Sequence, residues 1–176
     1  MLNYPELNLR WKKATSQGDI QGVVEYLISK WLDDYYELVG EAHTQVVETS
    51  NTGFSYLFDI GQERLIAAWG ISKGKNNKLR DKSRMRGYPL SAGKKYHRGH
   101  AIPHSLGGGT DINIVPQRGS VNIGSFRVLE NRAVNTPGAL YFTYWEYQEL
   151  STQTPTRVQQ GILCPGKMPD IRWFKN

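Results

Sequence analysis

Tyr96-His97-Arg98-Gly99-His100-Ala101-Ile102-Pro103-His104-Ser105-Leu106-Gly107-Gly108-Gly109, continuing through Asp111-Ile112-Asn113-Ile114-Val115-Pro116-Gln117, is the stretch on which the reading of this chain turns. It holds three of the four histidines. Residues 97, 100 and 104 would share one face of a helix and so invite a zinc site. Gly99 lies inside that span, however, and Pro103 would remove a backbone hydrogen bond, so a helix is disfavoured. Nor does a helical carboxylate stand beside the histidines in the metalloprotease manner. The imidazoles lie instead next to a strongly basic stretch, where a titratable ring has an anionic partner to act on.

That basic stretch runs from Lys73 to Arg98. Ten Lys and Arg side chains there face one carboxylate, Asp81, a local charge of +9. The whole chain carries only +6, so everything outside the stretch sums to −3. Concentrated positive charge attracts polyanions, because each neutralised phosphate releases condensed counterions. Charge alone leaves a second reading open, a solvated basic loop without a ligand.

Working outward, 176 residues with 39% hydrophobic and 11% aromatic side chains supply a sizeable core, and one α+β domain over 1–176 is the economical expectation. The single cysteine, Cys164, excludes an intramolecular disulfide and multi-thiolate metal sites; it reads as a buried small hydrophobe. No apolar run approaches the roughly 18 to 20 residues of a membrane span. The opening Met1-Leu2-Asn3-Tyr4-Pro5-Glu6 shows no basic patch leading into an apolar run. The expected location is therefore cytoplasmic, or outside by a dedicated export system without a classical signal peptide.

Residues 18–40 read as a helix, with Ile20, Val23, Val24, Leu27, Trp31, Leu32, Tyr35 and Leu38 at three- and four-residue spacing and Gly40 as the stop. Strands are expected at 44–48, 54–60 and 65–71, the first two joined by an Asn51-Thr52-Gly53 turn. Ala67-Ala68 leaves a helical turn open for the third. Residues 73–95 read as a long basic loop. A second helix is expected over 120–132, with Ser120 as N-cap and Val121, Phe126 and Leu129 inward. Strands at 140–147 and 157–163 and a C-terminal tail with Trp173 and Phe174 complete the chain.

Hydrolysis of a phosphodiester near neutral pH asks for a base with a pKa near 7, positive charge on the phosphoryl oxygens and a hard cation near the leaving oxygen. His and Arg supply the first two. Mg²⁺ supplies the third and keeps several waters, so one amide or carboxylate oxygen can seat it.

Arg98-Gly99-His100, then Asn113-Ile114-Val115-Pro116-Gln117, then Asn122-Ile123-Gly124-Ser125-Phe126-Arg127-Val128-Leu129-Glu130 resembles the DNA/RNA non-specific endonucleases, nucleases of the ββα-metal (His-Me finger) type. The match spans about 35 residues, with the elements in the family's order and spacing. The resemblance implies a mostly antiparallel central sheet with flanking helices, and a ββα-metal segment over 96–132. It implies an enzyme that cuts DNA and RNA with little sequence preference. His100 would be the general base, Asn122 the sole direct protein ligand of Mg²⁺, and Glu130 the group that orients the hydrated ion. Asn113 would support the site by hydrogen bonding and Arg98 would contact the phosphate.

One departure stands out. The family commonly carries Asp before the triplet, where this chain has His97. Metal preference would then drift towards softer ions such as Mn²⁺, or His97 would simply hydrogen-bond to backbone and shape the loop. The family also uses an upstream Arg near the scissile phosphate; Arg80, Arg84 and Arg86 are candidates, Arg84 first, with Lys94 and Lys95 as further nucleic-acid contacts. His104 would either sit near the substrate or, as the favoured expectation, pack behind the Gly107-Gly108-Gly109 turn, and His43 is expected to be structural. The rivals are a sequence-specific HNH-type endonuclease and a basic nucleic-acid-binding module without catalysis. A leaderless nuclease would endanger its own cell, which points to an exported toxin, a defence nuclease, or one held down by an inhibitor or immunity protein with an acidic face.

Overall fold

The computed structural model describes residues 2–79, 83–87, 89 and 92–176, apart from the side chain of residue 84. The chain opens with a helix absent from the sequence reading, α1 (Leu7–Gln17), which buries only Leu7, Trp11 and Ala14. Gly18 ends it in the left-handed region at φ 75°, its N–H bonded to the Ala14 carbonyl. The helix expected over 18–40 is α2 (Gln21–Val39), and it stops at Gly40 as its pattern requires.

Three strands follow: β1 (Val46–Asn51), β2 (Phe54–Asp59) and β3 (Arg64–Ile71). The β1–β2 turn holds Thr52 and Gly53 at φ 56° and 86°, the paired positive values of a tight hairpin turn whose twist matches the strands. Ala67 and Ala68 are strand residues, fully buried. Burial on both faces of the sheet decides their conformation over intrinsic preference. β6 (Leu140–Glu146) pairs with β3, β7 (Arg157–Leu163) with β6, and β8 (Asp170–Lys175) with β7. The six strands lie in the order β1-β2-β3-β6-β7-β8, every neighbour antiparallel. The expected tail is therefore an edge strand; its evenly half-buried residues, with no alternation, hid it.

Trp31 on α2 packs its ring against Trp69 of β3 and against Phe142 and Tyr144 of β6, with centroids 5.3–6.2 Å apart. Tyr141 and Trp145, the alternate β6 residues, point to the other face. There Trp145 meets Phe126, and Tyr141 accepts a hydrogen bond from Gln160 Nε2 at 2.8 Å. A strand covered on both sides reads as the near-continuous apolar run Leu-Tyr-Phe-Thr-Tyr-Trp.

Between β3 and β6 the chain makes one long excursion, residues 72–139. Ile71 and Leu140 pair across the sheet, and the backbones of Ser72 and of residues 138–139 exchange hydrogen bonds of 2.8 Å, so the excursion is pinched shut at its root. It contains a two-stranded hairpin, β4 (Tyr96–His100) with β5 (Ile114–Arg118), and two short helices, α3 (Gly119–Ile123) and α4 (Phe126–Val134). The single helix expected over 120–132 is thus broken. Gly124 sits at φ −96°, ψ −117°, outside helical space, and any Cβ there would come within 2.8 Å of the Ser120 carbonyl oxygen. Nor does Ser120 cap the helix, which begins at Gly119. Phe126 and Leu129 do face inward, fully buried.

Candidate active site

His100 ends β4, and its surroundings are set by three residues that admit almost no substitution. Gly99 pairs with Val115, and a Cβ on it would lie 2.4 Å from Oε1 of the fully buried Gln117. Asn113, fully buried, clamps the loop that follows His100. Its Oδ1 accepts from Ile102 N–H at 2.7 Å, while its Nδ2 donates to the carbonyls of Ile102 and Gly109 at 2.8 Å each. Gly108 is the third, since a Cβ there would be 1.9 Å from the Ile102 carbonyl oxygen. A buried amide with both ends used leaves the loop one way to close.

The hairpin end, the helix pair and the segment after β3 enclose a cleft of about 510 Å³. His100, Pro103, His104 and Ser105 line it from the loop side, and Asn122, Arg127 and Glu130 from α3 and α4. Lys75, Asn76, Asn77 and Lys78 complete it. Three expected site residues, His100, Asn122 and Glu130, thus share one cavity even though the helix that was to carry two of them is kinked. His100 is 7% exposed. Glu130 also stands close to β6: burial, then the Glu130 charge, raises the Tyr141 phenol well above its ordinary range. Among the described residues, Lys75, Lys78 and Arg127 bring three cations to the lining against one carboxylate.

Other expected residues lie elsewhere. Arg98 is two residues from His100 on β4 and so on the same strand face, but it is not part of the cleft lining. Arg86, Lys94 and Lys95 are exposed and outside the lining. Arg80 and the Arg84 side chain lie outside the described residues. His104, expected to pack behind the glycine turn, lines the cleft. The His97 ring lies against Gly119 at the start of α3, where a Cβ would come within 2.7 Å of its Nε2. His43 sits exposed in a short 3-10 turn, Glu41–His43. Cys164 is buried just beyond β7, its carbonyl accepting from Trp11 Nε1 at 2.9 Å.

Sequence reasoning missed Arg127, Asn76 and the part played by Lys75 and Lys78. The lysines belong to the basic stretch, and Arg127 stands between Asn122 and Glu130, so their types were visible. Nothing local marks Asn76.

Among the described residues no three His, Cys, Asp or Glu side chains converge where an ion could sit. The cleft offers a different donor set: an amide oxygen on Asn122 and a carboxylate on Glu130. Hard oxygen donors in small number suit a divalent cation that keeps its waters.

The chain is thus an antiparallel sheet that carries a ββα excursion, with a basic cleft at the end of its hairpin. The structure matches that of NucA from Streptococcus agalactiae with no metal bound, at a TM-score of 0.52 and 13% identity over 84% of this chain and 88% of that one. NucA with magnesium ion bound matches at 0.51 and 12%, over 82% and 89%. No curated protein matches this chain in sequence. Residues 65–139 match the family model for DNA/RNA non-specific endonuclease. That segment spans β3 and the whole excursion to the threshold of β6, so the part of the chain that lines the cleft is the part that is similar to this family.

Proposed function

We propose that the protein, as a single nuclease unit over 1–176, hydrolyses phosphodiester bonds of DNA and RNA with little sequence preference. The observation that carries this is the convergence of His100, Asn122 and Glu130, from three separate elements, on one basic cleft. His100, nearly buried yet open to the cavity, takes the proton from the attacking water. Asn122 would offer its amide oxygen to a Mg²⁺ or Mn²⁺ ion, and Glu130 would orient the ion's waters. A bound ion would supply positive charge to stabilise the developing leaving oxygen, and the products would carry 5′-phosphates. Asn113 holds the His100 loop by its three hydrogen bonds. Arg98 contacts the phosphate; Arg80, Arg84, Arg86, Lys94 and Lys95 extend the electrostatic footprint.

Contacts of this kind position a strand without reading its bases. The NucA structure with magnesium ion bound supports a divalent cofactor. A partner with an acidic face, an inhibitor or immunity protein, fits the +9 segment, and a toxin or defence nuclease fits such a partner.

Plasmid DNA and total RNA, incubated in EDTA and then with a panel of divalent ions, test the reading. A smear from both substrates with Mg²⁺ or Mn²⁺ is expected; discrete DNA bands would favour a sequence-specific endonuclease. Asn122→Ala should shift the Mg²⁺ requirement upward with severe loss of rate, and an unaltered titration would remove Asn122 from the site.

A further inference from the structure

One part of the cleft wall is an irregular strap, residues 72–78, that leaves β3 and carries Lys75 and Lys78, both exposed and both lining the cavity. Its root is tied down by Ser72, whose Oγ donates to the Ala133 carbonyl at 2.7 Å and accepts from Gly74 N–H at 3.1 Å. Further along, Asn76 ties it to the loop after β4. Asn76 N–H donates to the Ser105 carbonyl at 2.7 Å, and Asn76 Nδ2 donates to the His104 carbonyl at 2.9 Å. Asn76 Oδ1 accepts from Lys78 N–H at 3.1 Å, the local turn that Asn side chains favour.

Those bonds give Asn76 two separate attachments to the turn His104–Leu106, which follows His100 in the chain, and one to the backbone of Lys78. Two long cationic side chains on an untethered loop would sample many positions. Here their backbones are in register with the catalytic imidazole. Arg127 lines the cleft from α4, so cations enter it from two separate segments. A lone phosphodiester has one anionic group to offer; a polynucleotide strand has a series of them, and only the series can engage His100 and the strap at once.

We infer that Asn76 is a positioning residue that sets Lys75 and Lys78 to grip the phosphates flanking the bond being cut, making the cleft selective for polynucleotides over single phosphodiesters. This rests on the proposed phosphodiesterase role of the cleft and adds to it a determinant of substrate length.

The test compares a duplex oligonucleotide with the p-nitrophenyl ester of thymidine 5′-phosphate, which has one phosphodiester, across a salt series. In Lys75→Ala/Lys78→Ala, KM for the duplex should rise about tenfold at low salt, and the slope of log kcat/KM against log salt should become shallower by about 1.5 to 2, near 0.9 for each phosphate no longer neutralised. The penalty on the single ester should be several-fold smaller. Asn76→Ala should reproduce the KM effect with both lysines present, and the deficit should shrink as salt rises, because screening removes the advantage of placed charges. A kcat loss of equal size on both substrates at every salt concentration would make Asn76 a merely structural loop residue and overturn the inference. So would an unchanged slope in the double lysine variant. Binding of fluorescent duplex in EDTA by His100→Ala, with and without the lysine substitutions, gives the salt slope without turnover. A wild-type protein that cleaves nothing while this slope still falls would sink the hydrolytic reading and leave the strap standing.

Discussion

Ile71 and Leu140 face each other across β3 and β6, and the chain on either side of that pair is held by different forces. Outside it lies the scaffold, where Trp31 stands among Trp69, Phe142 and Tyr144, and Leu27, Tyr56, Ile66 and Val158 are fully buried. Non-directional burial of large apolar area stabilises it. Inside it lies the excursion, which carries the +9 segment; Phe126 and Leu129 anchor its second helix in the same core, but its loops take their shape from polar side chains with specific partners, Asn113, Asn76 and Ser72. Stability and chemistry are thus lodged in different kinds of contact, and substitutions should separate them.

The largest separation is expected at His100. His100→Ala should lower turnover by about 10²–10⁴-fold, the share of a positioned general base, with the unfolding midpoint in urea close to wild type. Retained turnover would refute its role, and a large fall in the midpoint would erase the contrast between the two regions. The converse is Trp31→Ala. It should cost about 3–5 kcal/mol in urea unfolding, while rate per folded molecule stays close to wild type. Asn113→Ala lies between: it strands Ile102 N–H in the interior at about 1–3 kcal/mol, yet activity should fall much further than that loss of folded protein explains. Equal falls would make Asn113 an ordinary scaffold residue.

The smallest effect tests the seam. Asp170 on β8 accepts from Arg172 and from Arg132 of α4 at 2.9–3.1 Å, so it ties the excursion to the sheet edge. The Arg172 hydrogen bond first, and then both guanidinium charges, hold its carboxyl below the usual range. A depressed folded-state pKa gives stabilisation that is complete above the unfolded value, about pH 4, and is lost as pH falls through the folded one. Asp170→Asn should therefore flatten the acid limb of the stability profile below about pH 4 and lower stability slightly at pH 7. An acid limb identical to wild type would show that this pair does not couple the two regions.

Much of this was legible in the residues. The α2 stripe, the aromatic runs of β2 and β6 and the aliphatic residues of β7 announce themselves because buried elements repeat at their own period. α1 did not, since three inward residues among eleven make a weak stripe. β8 escaped because an edge strand is half exposed and mixes Arg172 and Lys175 with Trp173 and Phe174. The kink at Gly124 is invisible to helical periodicity, which registers the inward positions on both sides of it. At the site, His100, Asn122 and Glu130 were readable as types in a fixed order. Asn76 was not, because its meaning lies in carbonyls 28 and 29 residues further on.

The amino-acid order alone thus determined the α+β class, the basic excursion, and the imidazole, amide and carboxylate that the chemistry would need, all of them properties of residue type and short-range spacing. Tertiary structure alone decided that a broken helix still delivers Asn122 and Glu130 to the cavity of His100. It also decided that His104 faces that cavity and His97 does not, and that a strap of lysines forms part of its wall. The reason is physical: burial is written into periodicity along the chain, whereas a hydrogen bond or a cavity exists only when distant segments meet.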